Sequence, residues 1–368
     1  MKILIISNAF SPTLNPRSFR TTELVKEFCR QGNDVTIMMP YHPEYHDPIK
    51  LEFGFKIVDL GRKKFPPIKI SKIPVLNFLT RALSRLLLQF FEYPNIEIMF
   101  QVKNKLKNLN EKFDLLISIA EPYPIHWGIA LSQRDINEIT DVWIADCGDP
   151  YYGQENNNYN PPFYFAFIEK WFMRKANYIT VPTEGSKNGY FPEFKNKLVV
   201  IPQGFKFKKY IGKRLVSSNI LHFVYGGSFI PNKRDPKEFI EFLNSLPSDT
   251  KYRFDIYTNT PHWAEMHSKQ NKNIFIQNPV PREEFLNIAS AADFVVNFAN
   301  KGDIQTPSKL IDYAIIDKPI LNIVTGNLDS ENITRFLKRD FTNSYKIENV
   351  DQYKIENICK QFLCLIKD

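Results

Sequence analysis

The sequence lacks long hydrophobic runs. No apolar stretch reaches the roughly 18 residues that a membrane-spanning helix needs, and the first one, Ile3 to Ile6, is too short for a signal peptide. Cysteine is scarce: the chain has four, with no CxxC pair or metal-binding spacing. We therefore expect a soluble cytosolic protein with reduced, buried thiols at Cys29, Cys147, Cys359 and Cys364.

Two glycine-rich phosphate motifs are missing as well. Residues 8–18, after the first predicted strand, contain no glycine, whereas a dinucleotide-binding domain needs G-x-G-x-x-G there. The P-loop pattern, G-x-x-x-x-G-K followed by Ser or Thr, is also absent, and no acidic pair is spaced for a metal ion. These absences argue against nicotinamide, flavin and P-loop enzymes, and we expect no cofactor and no metal.

The chain does contain ample apolar and basic residues. Its 43% hydrophobic and 14% aromatic content over 368 residues suffices for about two domains. A net charge of +8 suits anionic partners such as nucleotides, phospholipid head groups or nucleic acid. No helix-turn-helix, zinc-finger or RNP-like pattern is present, and the lysine and arginine residues are dispersed along the chain. Both observations argue against a nucleic-acid partner.

Short apolar runs alternate with helical spacing along the whole chain, which predicts two doubly wound, Rossmann-like α/β domains with parallel sheets. Residues 206–218 are basic and weakly patterned, so we place the linker there. The domains are expected at 1–205 and 206–352, followed by a terminal helix at about 353–368. The predicted strands are 2–7, 34–39, 113–119, 142–145, 178–182 and 198–201, then 221–225, 253–257, 273–276, 294–298 and 320–324.

Residues 293–324 read as one strand, loop, helix, strand unit. Thr306 is a suitable N-cap and Pro307 suits the first helical position, which places Ser308 and Lys309 in the opening turn. Ser308 and Asp312 lie one turn apart. A hydroxyl, an ammonium and a carboxylate at a helix N-terminus suit a phosphate attached to a diol. A capped surface helix without a ligand fits the same residues.

A second anion-binding pattern follows the strand predicted at 221–225. Gly226, Gly227 and Ser228 form a turn that a ligand can approach closely, and the loop ends in Lys233 and Arg234 before the next helix. Two cations beside a helix N-terminus can bind a pyrophosphate. An ordinary glycine turn with a solvated cation pair is the alternative.

Polar residues also lie near the predicted strand ends of the first domain. Arg17 and Arg20 stand at the start of the first helix, where cations are unfavourable without an anion, unless local acids pair with them. His126 and Asp149 follow two strands at the edge where parallel sheets bind ligands, so both are candidate catalytic groups. A structural histidine and an ordinary turn aspartate remain the alternatives.

Residues 74–91 predict an amphipathic helix, with Arg81 and Arg85 opposite its apolar side. Together with the basic residues of 62–72, it could rest on an anionic membrane surface. A helix whose apolar side faces the protein core fits the same pattern. The first possibility would make the protein peripheral at the inner face of the membrane.

The two halves resemble glycosyltransferases of the GT-B fold, in particular family 4, along most of the chain. The residues YGGS at 225–228 with Lys233 and Arg234 are similar to that family's donor pyrophosphate loop, and PSKLIDY at 307–313 is similar to its donor-site helix. The resemblance implies that Asp312 binds the nucleotide ribose. It also implies two domains facing a cleft, with the acceptor side in the first domain, near Arg17 and Arg20, and the terminal helix packed back on it.

The resemblance implies a hexosyltransferase-like enzyme that moves a sugar from a nucleotide diphosphate sugar to a glycan or lipid-linked acceptor. Retention of anomeric configuration and a role in surface polysaccharide or glycolipid synthesis are further implications. Lys233 and Arg234 would neutralise the departing diphosphate. The family's second acid is replaced by Ile304, with Asp303 and the donor-site candidate Gln305 beside it. A nucleotide-sugar epimerase and a catalytically silent sugar-nucleotide-binding relative remain alternatives.

Overall fold

A computed structural model describes residues 1–13, 15–132, 136–148, 150–153, 161–299 and 308–366. The chain divides into two compact units. The N-terminal unit comprises Met1–Lys206 and Asp351–Asp368, and the C-terminal unit comprises Phe207–Val350.

The described part of the N-terminal unit contains a seven-stranded parallel sheet in the order β3-β2-β1-β4-β5-β6-β7. Its inner strands are apolar on both faces because helices cover both sides. In β1, for example, all residues after Lys2 are buried, and Ile3 is in register with Val35 and Leu115. The strands are β1 Lys2–Ser7, β2 Asp34–Met39, β3 Lys56–Asp59, β4 Phe113–Ile119, β5 Thr140–Asp146, β6 Tyr178–Val181 and β7 Leu198–Val200.

Helices pack on the two faces of this sheet. One face carries α1 and the terminal helix α13, whose Phe362 contacts Phe28. The other face packs Trp127, Trp143 and Phe172 into a second core. The helices of this unit are α1 Pro16–Arg30, α2 Pro43–Phe53, α3 Pro74–Phe91, α4 Glu97–Lys107, α5 Pro124–Ala130, α6 Ile136–Ile139, α7 Tyr164–Lys175 and α13 Ile355–Cys364.

The C-terminal unit contains a five-stranded parallel sheet, as far as the chain is described, in the order β10-β9-β8-β11-β12. Phe223 of the central strand stacks between Phe254 and Phe294, at centroid distances of 4.8 and 4.6 Å. The strands are β8 Leu221–Gly226, β9 Tyr252–Tyr257, β10 Ile274–Gln277, β11 Phe294–Ala299 and β12 Ile320–Val324. The helices are α8 Lys237–Asn244, α9 His262–Ser268, α10 Arg282–Ser290, α11 Ser308–Ile315 and α12 Ser330–Leu337.

The strand predictions are confirmed within one to two residues. The structure also contains elements that were not predicted: α2, the edge strand β3, and α5, which begins at Pro124. For α3, the structure decides between the two possibilities, because most of its apolar side is exposed instead of facing the core. Of the described helices, none is long and apolar enough to cross a bilayer.

Strand order reverses once in each sheet. In the N-terminal unit, the chain runs from β1 outward to β3 and then returns to β4, on the other side of β1. In the C-terminal unit, it runs from β8 outward to β10 and returns to β11. At such a switch point the two following loops turn to opposite sides of the sheet, which leaves a crevice at the carboxyl ends of the strands.

Candidate functional site

The loop after β8 lies at the switch point of the C-terminal sheet. Gly227 has a φ of +148°, which an L side chain rarely adopts, and its N–H donates to the Tyr257 carbonyl at 2.8 Å. At Gly226, a Cβ would lie 2.5 Å from the ring of Phe285. The Ser228 hydroxyl donates to Asn259 Oδ1 at 2.6 Å. The turn therefore favours glycine at 227, and the close approach of the Phe285 ring favours it at 226.

The second half of this loop is a tight turn held by paired backbone hydrogen bonds. The Arg234 N–H donates to the Ile230 carbonyl at 2.8 Å, and the Ile230 N–H donates to the Arg234 carbonyl at 3.1 Å. The Thr325 hydroxyl, which follows β12, donates to the Lys233 carbonyl at 3.1 Å and accepts from the Asp235 N–H at 3.1 Å. The turn therefore holds Lys233 and Arg234 in place before α8.

The two cations of the turn differ in environment. Lys233 is exposed, whereas Arg234 is half-buried. Burial raises the pKa of the Tyr225 hydroxyl, and the charge of Arg234 offsets part of that rise, so these two side chains lie close together. The Nε atom of Arg234 is buried and has no hydrogen-bond partner in the described part of the chain. A buried charged donor without an acceptor is costly, and a bound anion would satisfy it.

The predicted ribose-binding residue, Asp312, lies on α11 and is paired. Arg282, at the start of α10, donates from Nε to Asp312 Oδ1 at 2.9 Å and also from Nη2. The two side chains are 29% and 17% exposed, so a ligand can still reach the pair. Sequence reasoning missed Arg282, because nothing in the spacing connects two residues on different helices.

The rest of the predicted donor site is only partly described. Ser308 and Lys309 form the first turn of α11, as predicted from Pro307, but their side chains lie outside the described structure. Gln305 also lies outside the described residues. The assignments of Ser308, Lys309 and Gln305 stay predictions.

In the N-terminal unit, Arg20 is buried and fully paired. Its guanidinium donates to both carboxylate oxygens of Asp146, at 2.5 and 2.7 Å, and to the carbonyls of Ile201 and Pro202. The Thr180 hydroxyl donates to the same carboxylate at 2.7 Å. Arg20 therefore pairs with an acid of the protein itself, which was the alternative to a bound anion. Its hydrogen bonds connect α1 to β5 and to the residues that follow β7.

Arg17 has a different setting. Its guanidinium lies against Gly148, where a Cβ would come within 1.3 Å of Nη2. Burial dominates the raised pKa of Tyr123 and Cys147, and the charge of Arg17 partly opposes it. Arg17 is half-buried, so it stays a candidate for the acceptor or phosphate side. Asp149, the neighbouring candidate, lies outside the described residues.

His126 is fully buried in α5 rather than facing a ligand. Its Nδ1 lies 2.8 Å from the Ser118 hydroxyl, which also accepts from Trp143 Nε1, and its Nε2 lies 3.5 Å from Cys147 Sγ. Burial lowers the pKa of His126 to about 3, so the ring is neutral. We therefore assign His126 the structural role that the sequence left as the alternative, in place of the candidate catalytic one.

The structure contains two pockets, each lined by residues of one unit only. A small one of about 190 Å³ follows β1 and β2 and is lined by Asn8, Phe10, His42 and His46, among others. A larger groove of about 750 Å³ in the C-terminal unit includes Tyr252 and Asn273, at the amino ends of β9 and β10. The larger groove is thus at the edge opposite the switch point. No metal-binding group of three or more His, Cys, Asp or Glu occurs in the described ranges.

No protein-family model matches the chain, and no curated protein matches it significantly. Solved structures do match, over 100% of this chain. A lipopolysaccharide outer core galactosyltransferase, WaaB, is 11% identical with a TM-score of 0.57 over 99% of its chain. A TarM variant from S. aureus, in complex with UDP among other ligands, is 12% identical with a TM-score of 0.59 over 100% of its chain.

The chain has the GT-B fold. A UDP-GlcNAc 2-epimerase from Neisseria meningitidis, bound to UDP-GlcNAc, is also similar, with 14% identity and a TM-score of 0.56 over 100% of its chain. Identities this low establish the fold alone. The predicted membership of glycosyltransferase family 4 therefore stays a prediction.

Glu169 is a buried carboxyl that sequence reasoning missed. It lies on α7 and accepts from the backbone N–H groups of Tyr151 and Tyr152, at 3.1 and 3.2 Å. It thereby holds the chain that follows Gly148 and the Asp149 position. Burial raises the pKa of Glu169 to about 7, because the charged form is poorly solvated there.

The raised pKa of Glu169 predicts a pH-dependent stability. The folded state binds a proton that the unfolded chain releases near pH ~4.3, so the protonated carboxyl favours folding at low pH, and this contribution is lost as pH rises through about 7. We expect Glu169→Gln to raise the free energy of unfolding above pH 7 by up to about 3 kcal/mol, and to have little effect at pH 4.

Denaturant unfolding followed by tryptophan fluorescence measures this effect in a Trp263→Phe background. The other three of the four tryptophans, Trp127, Trp143 and Trp171, all lie in the N-terminal unit, so the signal reports on that unit. Glu44→Gln removes an exposed carboxyl from the same unit and is the control. An equal loss of stability at both pH values in Glu169→Gln would show that the charged form is not disfavoured.

Proposed function

We propose that the protein transfers a sugar from a nucleoside diphosphate sugar to an acceptor, with the donor bound at the carboxyl ends of β8 and β11. The buried, unsatisfied Nε of Arg234 is the observation that carries this proposal. It follows a glycine turn at the switch point of a parallel sheet, the position where open α/β sheets bind ligands. A diphosphate supplies the negative oxygens that this group lacks.

The same geometry suggests how the site promotes transfer. When the bond between the anomeric carbon and the diphosphate oxygen breaks, negative charge develops on the leaving group. Arg234, held by the turn, and the exposed Lys233 would stabilise that charge. Asp312, oriented by Arg282, would accept hydrogen bonds from the ribose hydroxyls. Similar folds occur with UDP in TarM and with ADP and acarbose in a starch synthase from Arabidopsis thaliana, which supports a nucleotide donor.

We propose that the acceptor is a glycan or a lipid-linked molecule that binds on the side of the N-terminal unit. Arg17 is the candidate residue for contacting it. Retention of configuration is supported by the resemblance of the 225–234 and 307–313 motifs to family 4. A role in surface polysaccharide or glycolipid synthesis is supported by the same resemblance, and a location in the cytoplasm is supported by the four cysteines without a CxxC pair. Donor binding through side chains and backbone alone would need no metal.

A panel of nucleotide sugars tests the activity. We expect one donor to raise the melting temperature of the protein and to release free nucleoside diphosphate when a glycan or lipid-linked acceptor is supplied. Proton NMR of the product reports the anomeric configuration. Binding without any turnover would favour a silent sugar-nucleotide-binding relative, and conversion of the donor to its 2-epimer would identify an epimerase, as in some proteins of this fold.

Loss of the turn's cations should weaken nucleotide binding. We expect Arg234→Ala to cost about 1.5 to 3 kcal/mol of UDP or ADP binding, the range for charged hydrogen bonds, or roughly 10- to 150-fold in Kd by calorimetry. Lys233→Ala should cost less, because that side chain is exposed and solvated. Lys237→Ala removes an exposed cation of equal charge from the start of α8 and is the control. Unchanged affinity in Arg234→Ala rejects the pyrophosphate assignment.

The role of Asp312 can be separated from that of Arg234 with two probes. Asp312→Asn should weaken binding of a ribonucleoside diphosphate by about tenfold, roughly one charged hydrogen bond, and leave binding of inorganic pyrophosphate unchanged. Arg234→Ala should weaken both probes. Asp317→Asn, an exposed acid just after α11, is the matched control. Equal effects of Asp312→Asn on both probes would show that it acts on phosphate rather than ribose.

A further inference from the structure

The helix α3 is built from apolar residues that the protein leaves uncovered. No described side chain in it is buried, and six residues of its apolar side are each between 41 and 72% exposed. These are Val75, Leu76, Leu79, Leu83, Leu86 and Phe90, whereas Leu87 on the same side is half-buried. Single exposed apolar residues are ordinary, but a contiguous face of this size marks an interaction surface.

The helix is fixed to the unit at its end. There, the Tyr164 hydroxyl donates to the Phe90 carbonyl, and the Tyr151 hydroxyl donates to Glu92 Oε1 at 2.7 Å. At its start, the Asn77 side-chain amide donates to the Ser71 carbonyl of the preceding segment at 2.9 Å. These described contacts hold α3 through polar groups and leave its apolar side exposed.

Neighbouring elements extend the same surface. The side chain of Glu97 accepts from the N–H groups of Lys64 and Phe65, which holds the basic segment before the helix. Phe163 and Phe167, one turn apart at the start of α7, are 72 and 67% exposed beside Tyr164. The apolar area thus continues past the end of α3.

The charge around this face has a single sign. Residues 61–91 contain seven Lys or Arg and no Asp or Glu. All seven are exposed: Arg62, Lys63, Lys64, Lys69, Lys72, Arg81 and Arg85. Two copies of the chain docked through this face would bring these like charges together, whereas an anionic surface would neutralise them.

We propose that α3, with the basic segment 62–73, lies in the interfacial plane of a bilayer that contains anionic lipids. The apolar side enters the boundary between head groups and acyl chains, and the arginines and lysines contact the lipid phosphates. The helix lies on the membrane and does not cross it. This inference stands on the face itself and does not depend on the proposed sugar transfer.

Co-sedimentation of the full chain with vesicles tests this proposal. We expect the protein to pellet with vesicles of phosphatidylcholine and phosphatidylglycerol, much less with phosphatidylcholine alone, and less as salt is added. Arg81→Gln with Arg85→Gln should lower the partition coefficient by roughly 25-fold, about fivefold for each charge removed. Lys269→Gln with Lys272→Gln removes equal charge from exposed sites of the other unit and should not change it.

A second pair, Leu79→Ser with Leu86→Ser, separates apolar insertion from charge attraction. Both side chains are exposed, at 54 and 51%, so the fold should tolerate the changes, which circular dichroism checks. We expect this variant to lose binding even at low salt. Wild-type protein that stays in the supernatant with anionic vesicles overturns the proposal. So does a concentration-dependent dimer in analytical ultracentrifugation that only the serine variant abolishes, without any vesicle binding.

Discussion

The geometry of both units depends on where strand order reverses in a parallel sheet. Parallel strands present their carboxyl ends at one edge, and the loops that follow β1 and β4, or β8 and β11, turn to opposite sides there. Polar side chains can gather at that edge without being buried among apolar residues. The glycine turn at 226–227 is placed there by β8, and α11 is placed there by β11.

Two arginines near such edges show how local pairing decides what a charge can do. Arg20 donates to Asp146 and to two backbone carbonyls, so its charge is neutralised inside the fold. Arg234 is half-buried, and its Nε has no acceptor in the described structure. A buried charge is stable only with a partner, so Arg20 stabilises the N-terminal unit and Arg234 is suited to an anionic ligand.

His126 and α3 show that residue type alone does not decide whether a side chain is buried. His126 is polar, yet it is buried between Ser118 and Cys147 and kept neutral. Residues 74–91 are largely apolar, yet most of their described side chains are exposed and none is buried. Residue type predicts burial only on average, because a hydrogen-bonded imidazole can be accommodated in a core and an apolar helix can serve a surface.

The sequence by itself determined the α/β class and the described strands other than β3, because buried parallel strands appear as short, mainly apolar runs, as in 113–119 and 320–324. It also located the glycine turn at Gly227 and the start of α11 at Ser308, because glycine favours a positive φ and a proline is favoured where a helix begins. Only the tertiary structure decided that Arg282 pairs with Asp312, that Arg20 pairs with Asp146, and that α3 faces outward. These contacts join residues 30 and 126 positions apart, or depend on which surface other elements leave uncovered, and local sequence patterns carry no such information.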